Sequence, residues 1–117
     1  MSSASHRTLL LIKADPANDP RPAEAIRSAL GLIAGEIPVS VYLFREAHAL
    51  LLSSPDDLLD LEDGEVLHRF LGTFFDMAKE IYYEPFTLAP AREVRGKPLS
   101  PKDLGRLILG FDHTIFF

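Results

Sequence analysis

The run Thr8-Leu9-Leu10-Leu11-Ile12-Lys13 constrains this chain more than any other stretch. An unbroken apolar segment ended by turn residues, here Ala14-Asp15-Pro16-Ala17-Asn18-Asp19-Pro20, reads as a strand buried on both faces. Such a strand requires helices above and below it. The sequence supplies them. Ala23, Ile26, Ala29, Leu30 and Ile33 recur at helical spacing, Asp19 and Pro20 suit an N-cap and first helical position, and Gly35 suits a C-terminal cap. Val39-Ser40-Val41-Tyr42-Leu43-Phe44 is a second strand, and the intervening helix makes the pair parallel with a right-handed crossover.

Arg45 to Leu52 reads as a short helix, and Ser54-Pro55-Asp56-Asp57 restarts the chain with Ser54 as cap and Asp57 as a capping-box acid. The longest helix is expected from Gly64 to Glu80. Its apolar face is Leu67, Phe70, Leu71, Phe74, Met77 and Ala78, and Phe75 widens the stripe toward either a partner subunit or the sheet. Ile81-Tyr82-Tyr83-Glu84 forms a third strand stopped by Pro85. Phe86 to Leu99 carries two prolines and no periodicity, with a short strand or turn at Glu93-Val94-Arg95-Gly96. Ser100 caps a helix to Leu109, and Asp112 to Phe117 is a final strand. Strands alternating with helices over 117 residues predict one α/β domain: a three-layer α/β/α sandwich with a mainly parallel sheet of four to five strands, residues 1–7 being a loose lead.

Composition excludes several functions. Without cysteine there is no disulfide, thiolate nucleophile, persulfide carrier or cysteine metal site. A net charge of -5 with scattered Lys and Arg argues against nucleic acid as a partner. No run is long enough for a membrane span, and the polar start does not read as a signal peptide, so a cytoplasmic protein is expected. The acidic run Asp56 to Glu65 fails as an EF-hand, because Leu59 and Leu61 would occupy ligand positions when Gly64 takes the glycine place. No metal or cofactor is expected. The loop after the first strand lacks the glycines of a phosphate-binding turn, and no G-x-S-x-G elbow is present.

In parallel sheets ligands collect beyond the carboxyl ends of the strands. Those ends offer Lys13 and Asp15, then Arg45, Glu46 and His48, then Glu84. Asp15, Arg45, His48 and Glu84 are the candidate ligand-binding set. If Asp15 and Glu84 converge they suit an acid/base pair. The simpler reading gives Asp15 to its turn and Glu84 to solvent or to Arg45. His48 is the histidine nearest this rim, as a ligand or base, or as a surface or capping residue. His6, His68 and His113 lie elsewhere.

In this order the chain resembles the DsrE/DsrF-like family of small α/β proteins of intracellular sulfur relay. The likeness rests on Leu9-Leu10-Leu11-Ile12 with its loop and Ala-rich helix, on Val39 to Phe44 with the helix near Ala47, on the long helix delivering Ile81-Tyr82-Tyr83, and on the closing Leu104 to Phe117. Sulfur-carrying members hold a persulfide on a cysteine just after the third strand. Glu84 stands there in this chain, and a carboxylate cannot carry sulfane sulfur. The family's next helix is replaced here by the proline-rich Phe86 to Leu99. Members assemble as trimers or hexamers, alone or with paralogues, some of them lacking the cysteine. The resemblance therefore implies a non-catalytic, oligomer-forming relative with a homo-oligomeric or paralogue partner. The alternative is a cysteine-independent small-molecule enzyme using carboxylate and histidine acid/base chemistry at the rim.

Overall fold

A computed structural model describes residues 7–117. The expectation for His6 and the rest of the leading segment before Arg7 lies outside them. Five parallel strands form one sheet in the order β4-β3-β2-β1-β5: β1 (Thr8–Ile12), β2 (Val39–Leu43), β3 (Ile81–Tyr83), β4 (Lys97–Pro98) and β5 (His113–Phe116). All five residues of β1 are buried, and the strand is paired on both sides. The apolar run thus behaves as the two-faced burial of a parallel strand requires.

Alternation along the strands sends Leu10, Ile12, Val41, Leu43, Ile81 and Tyr83 to one face. That face is covered by α1 (Arg21–Ala34) and α4 (Gly64–Met77), which pack on each other as well as on the sheet. Leu9, Leu11 and Tyr42 point the other way, under a single eight-residue helix, α5 (Pro101–Ile108), anchored by Leu104. The sandwich has the expected three layers, but they are unequal. Chain direction explains which layer holds which helix. The β1–α1–β2 connection moves toward β4, whereas α5 returns the chain from β4 to β5 at the far edge. Right-handed crossovers in opposite directions must use opposite faces.

Local boundaries depart from the sequence reading in informative ways. Helix α1 begins at Arg21, with Pro20 already helical in the cap position. Asp19 acts one place early, accepting from the Arg21 N–H at 2.9 Å and clasping its guanidinium at 2.7 Å. Gly35 closes the helix as expected, its N–H bonding to the Gly31 and Leu32 carbonyls. Arg45 to Leu52 divides into a 3-10 turn (Arg45–Ala47) and one turn of helix, α2 (Ala49–Leu52). Ser54 caps α3 (Pro55–Leu58) through its Oγ, which accepts from the Asp57 N–H.

Helix α4 stops at Met77, not Glu80, because Lys79 and Glu80 already bond to β2: the Lys79 N–H reaches the Val39 carbonyl, and the Glu80 carbonyl accepts from Val41. Its buried stripe is Leu67, Leu71, Phe74 and Phe75, so Phe75 packs inward while Met77 is 54% exposed. At 100° per residue Met77 lies 60° behind Phe74, and Phe75 lies 40° ahead of Leu71. The stripe therefore drifts toward Phe75 and away from Met77.

The fourth strand falls at Lys97–Pro98, after the expected Glu93–Gly96. Gly96 turns the chain into it with φ +97°, and a Cβ there would lie 2.6 Å from the Ile81 carbonyl oxygen. Ser100 makes no side-chain cap; its carbonyl accepts from the Asp103 N–H instead. Among the described residues, no helix is long and apolar enough to cross a membrane.

Candidate functional site

The carboxyl ends of β2 and β3 bring three of the four candidate residues together. Phe44 turns out of β2 in an extended conformation and offers no side-chain cap to the Arg45–Ala47 turn. Glu84, one residue beyond β3, supplies the cap from the neighbouring strand. Its Oε1 accepts from the Arg45 backbone N–H at 2.9 Å, and its Oε2 meets the Arg45 guanidinium at 3.1 Å. The Glu84 side chain is 15% exposed and that of Arg45 is 64% exposed. An orphan N–H of the turn and a mostly buried carboxylate therefore satisfy each other, and the guanidinium covers them from solvent.

His48 is neither a surface residue nor a side-chain cap. It occupies the backbone cap position of α2, but its ring turns inward and the residue is only 9% exposed. The ring lies 4.4 Å from that of Phe86 and 6.4 Å from that of Tyr83. Nε2 is buried and has no hydrogen-bond partner among the described residues. Burial holds the imidazole below its ordinary pKa, while the backbone and charge of Glu84 pull it partly back up. The result is a neutral histidine inside an aromatic sleeve.

Asp15 does not join this group. Its Oδ1 accepts from the Ala17 N–H at 2.9 Å, the two-residue reach of an aspartate turn, and the residue is exposed. Lys13 lies with its ammonium 5.8 Å from the Phe44 ring centroid. Asp15 makes no hydrogen bond or ion pair with Arg45, His48 or Glu84 among the described residues.

Sequence reasoning missed the groups that hold the rim in place. Tyr42 is fully buried, and its hydroxyl donates to the Leu99 carbonyl at 2.7 Å. Burial and the Glu84 charge push the phenol up to about 12. Arg92 reaches back to the end of α2, donating from Nη2 to the carbonyls of Leu52 at 2.9 Å and Ser53 at 3.1 Å. The Tyr42 and Arg92 bonds fasten the long Phe86–Leu99 connection at its far end and its middle, and Phe86, at its start, closes over His48. No periodic signal marks any of the three, since each acts across tens of residues. A groove of about 1290 Å³ opens at the other end of the sheet between Leu32, Ile37, Lys79, His113 and Ile115.

No protein-family model matches this chain, and no curated protein matches it either.

Proposed function

We propose that this protein is a non-catalytic binding or structural subunit of DsrE-like fold, related to intracellular sulfur-relay proteins and working through an oligomer. The observation that carries the reading is the state of the position after β3. Where a sulfur carrier needs a cysteine, Glu84 is tied to the Arg45 N–H and guanidinium, and the sequence has no cysteine elsewhere. Three of the rim's polar residues are held in structural posts. Asp15 serves its turn, Glu84 caps its neighbour, and His48 is shut beneath Phe86. A soluble oligomeric partner in the cytoplasm suits that inventory better than acid/base turnover. The arginine face of the rim remains accessible to a small sulfur oxyanion, the class of ligand such a subunit would hold.

The test is a thermal-shift titration of the purified chain with thiosulfate, sulfite, flavins and nucleotides, repeated on Arg45→Ala. A rise in melting temperature with a sulfur oxyanion, lost in Arg45→Ala, supports the reading. Turnover of any small substrate by the purified chain, abolished by Glu84→Gln, would replace it with the enzyme alternative.

A further inference from the structure

The two edges of the sheet are built differently. The β4 edge is two residues long and carries Lys97 and Pro98, the charge and the missing donor that discourage further pairing. The β5 edge has four residues, His-Thr-Ile-Phe, with no lysine, proline or bulge, and all four are exposed. Hydrogen-bond parity shows what this edge presents. The N–H groups of His113 and Phe117 bond to the Arg7 and Leu11 carbonyls, so odd positions face β1. Thr114 and Phe116 therefore direct their N–H and C=O groups outward, and no strand among the described residues takes them. Apolar surface flanks this row on both faces. Ile115, 38% exposed, borders the groove on the α1 side, and Phe116, 62% exposed, stacks on Phe44 at 6.2 Å on the α5 side.

We propose that two copies of this chain pair β5 against β5, antiparallel, about a two-fold axis at Ile115, fusing two five-stranded sheets into one. The segment is complementary to itself. With Ile115 opposite its own copy, Thr114 of each chain faces Phe116 of the other, and both outward N–H and C=O pairs are satisfied twice. Charge agrees with the same register. Leu11 is level with Phe116, so Lys13 lies two places further along, level with Asp112 of the other copy. Lys13 and Asp112 are both exposed; Oδ2 of Asp112 accepts from the Arg7 N–H of its own chain at 2.7 Å, which leaves Oδ1 for the lysine. Two strand spacings, about 9.6 Å, separate their backbones, a gap that a lysine and an aspartate span together. The symmetry repeats this opposite-charge contact at each end of the pairing. The antiparallel arrangement thus earns its ends as well as its middle, and the two open grooves beside Ile115 become continuous across the axis.

This deepens the assembly half of the proposed function and is independent of any ligand at the rim. Sedimentation equilibrium of the full chain, up to ~0.5 mM, should show a species of about 26 kDa, twice the 13.0 kDa chain. Thr114→Pro removes only an outward N–H, so it should give a monomer with an unchanged circular dichroism spectrum. Ile115→Lys sets like charges across the axis and should do the same. Lys13→Glu should weaken the dimer about fivefold. A wild-type chain that remains monomeric overturns the proposal, as does a strand from another protein taking this edge while the chain itself stays single. An oligomer indifferent to both Thr114→Pro and Ile115→Lys also overturns it, while leaving the functional reading to its own titration.

Discussion

Replacing Glu84 by alanine tests whether the rim is built for structure. Two interactions leave with the carboxylate, and the geometry weights them unequally. The bond from the Arg45 N–H, 2.9 Å long and largely shielded, is a charge-assisted hydrogen bond worth ~1.5–3 kcal/mol, because its loss strands a donor at the start of a helical turn. The contact with the Arg45 guanidinium joins a side chain that is 64% exposed and is worth only ~0.5 kcal/mol. Glu84→Ala should therefore cost about 2–3 kcal/mol and Arg45→Ala about 0.5 kcal/mol. Glu84→Gln, whose amide oxygen still accepts the N–H, should fall between them. The chain has no tryptophan, so urea unfolding is best followed by far-ultraviolet circular dichroism. With a slope near ~1.5 kcal/mol per molar, the urea midpoint should drop by about 1.5 M in Glu84→Ala and about 0.3 M in Arg45→Ala. Equal losses in the two variants would show that the ion pair, not the cap, dominates. No loss in Glu84→Ala would refute the capping argument outright.

Three further outcomes follow from the same packing. His48 is held below its ordinary value of 6.5, so below that pH the unfolded chain takes up a proton that the native ring refuses. Stability should be flat above about pH 6.5 and fall on acidification by up to ~1.4 kcal/mol per pH unit until the native value is passed. His48→Phe should remove that component from urea midpoints measured between about pH 7.5 and 5, and an identical acid slope in both proteins would exclude it. Gly64 and Gly72 lie in one helix and should respond oppositely to alanine. A Cβ at Gly64 would lie 2.5 Å from the Leu58 and Leu59 carbonyl oxygens, whereas nothing lies within 4 Å at Gly72. Gly64→Ala should lose ~2 kcal/mol and Gly72→Ala gain up to ~1 kcal/mol by calorimetry. Tyr42→Phe should cost ~1–2 kcal/mol by stranding the Leu99 carbonyl, and faster amide exchange along Phe86–Leu99 would accompany it.

What could be read from the sequence was whatever repeats over short distances. The Leu9–Ile12 run announced a two-faced strand, and Ala23, Ile26 and Ala29 announced the helix beside it, because burial and periodicity are written in adjacent residues. The Glu84–Arg45 pair was legible as the simpler of two readings, since both residues stand at strand ends that a parallel sheet brings level. His48 was not. Nothing near it in sequence reveals that Phe86, thirty-eight positions on, will close over its ring. The strand at Lys97–Pro98 was missed by a few residues for a related reason. Two residues carry no alternation, and their place is set by Gly96 turning against Ile81. Met77 shows the limit of the helical stripe itself, which drifts by tens of degrees over the fourteen residues of α4.

The return of the chain beneath the sheet also governs how the molecule must fold. Arg7 and Asp112, 105 positions apart, are hydrogen-bonded neighbours, so β1 gains its second flank only from β5, which follows the other four described strands along the chain. Until then the emerging polypeptide carries its most apolar segment with one margin bare. Loop closure over such a span is slow, and assembly should lag behind formation of the Thr8–Met77 half. During synthesis on the ribosome that interval is when aggregation threatens most, and when a chaperone would find its clearest handle on this protein.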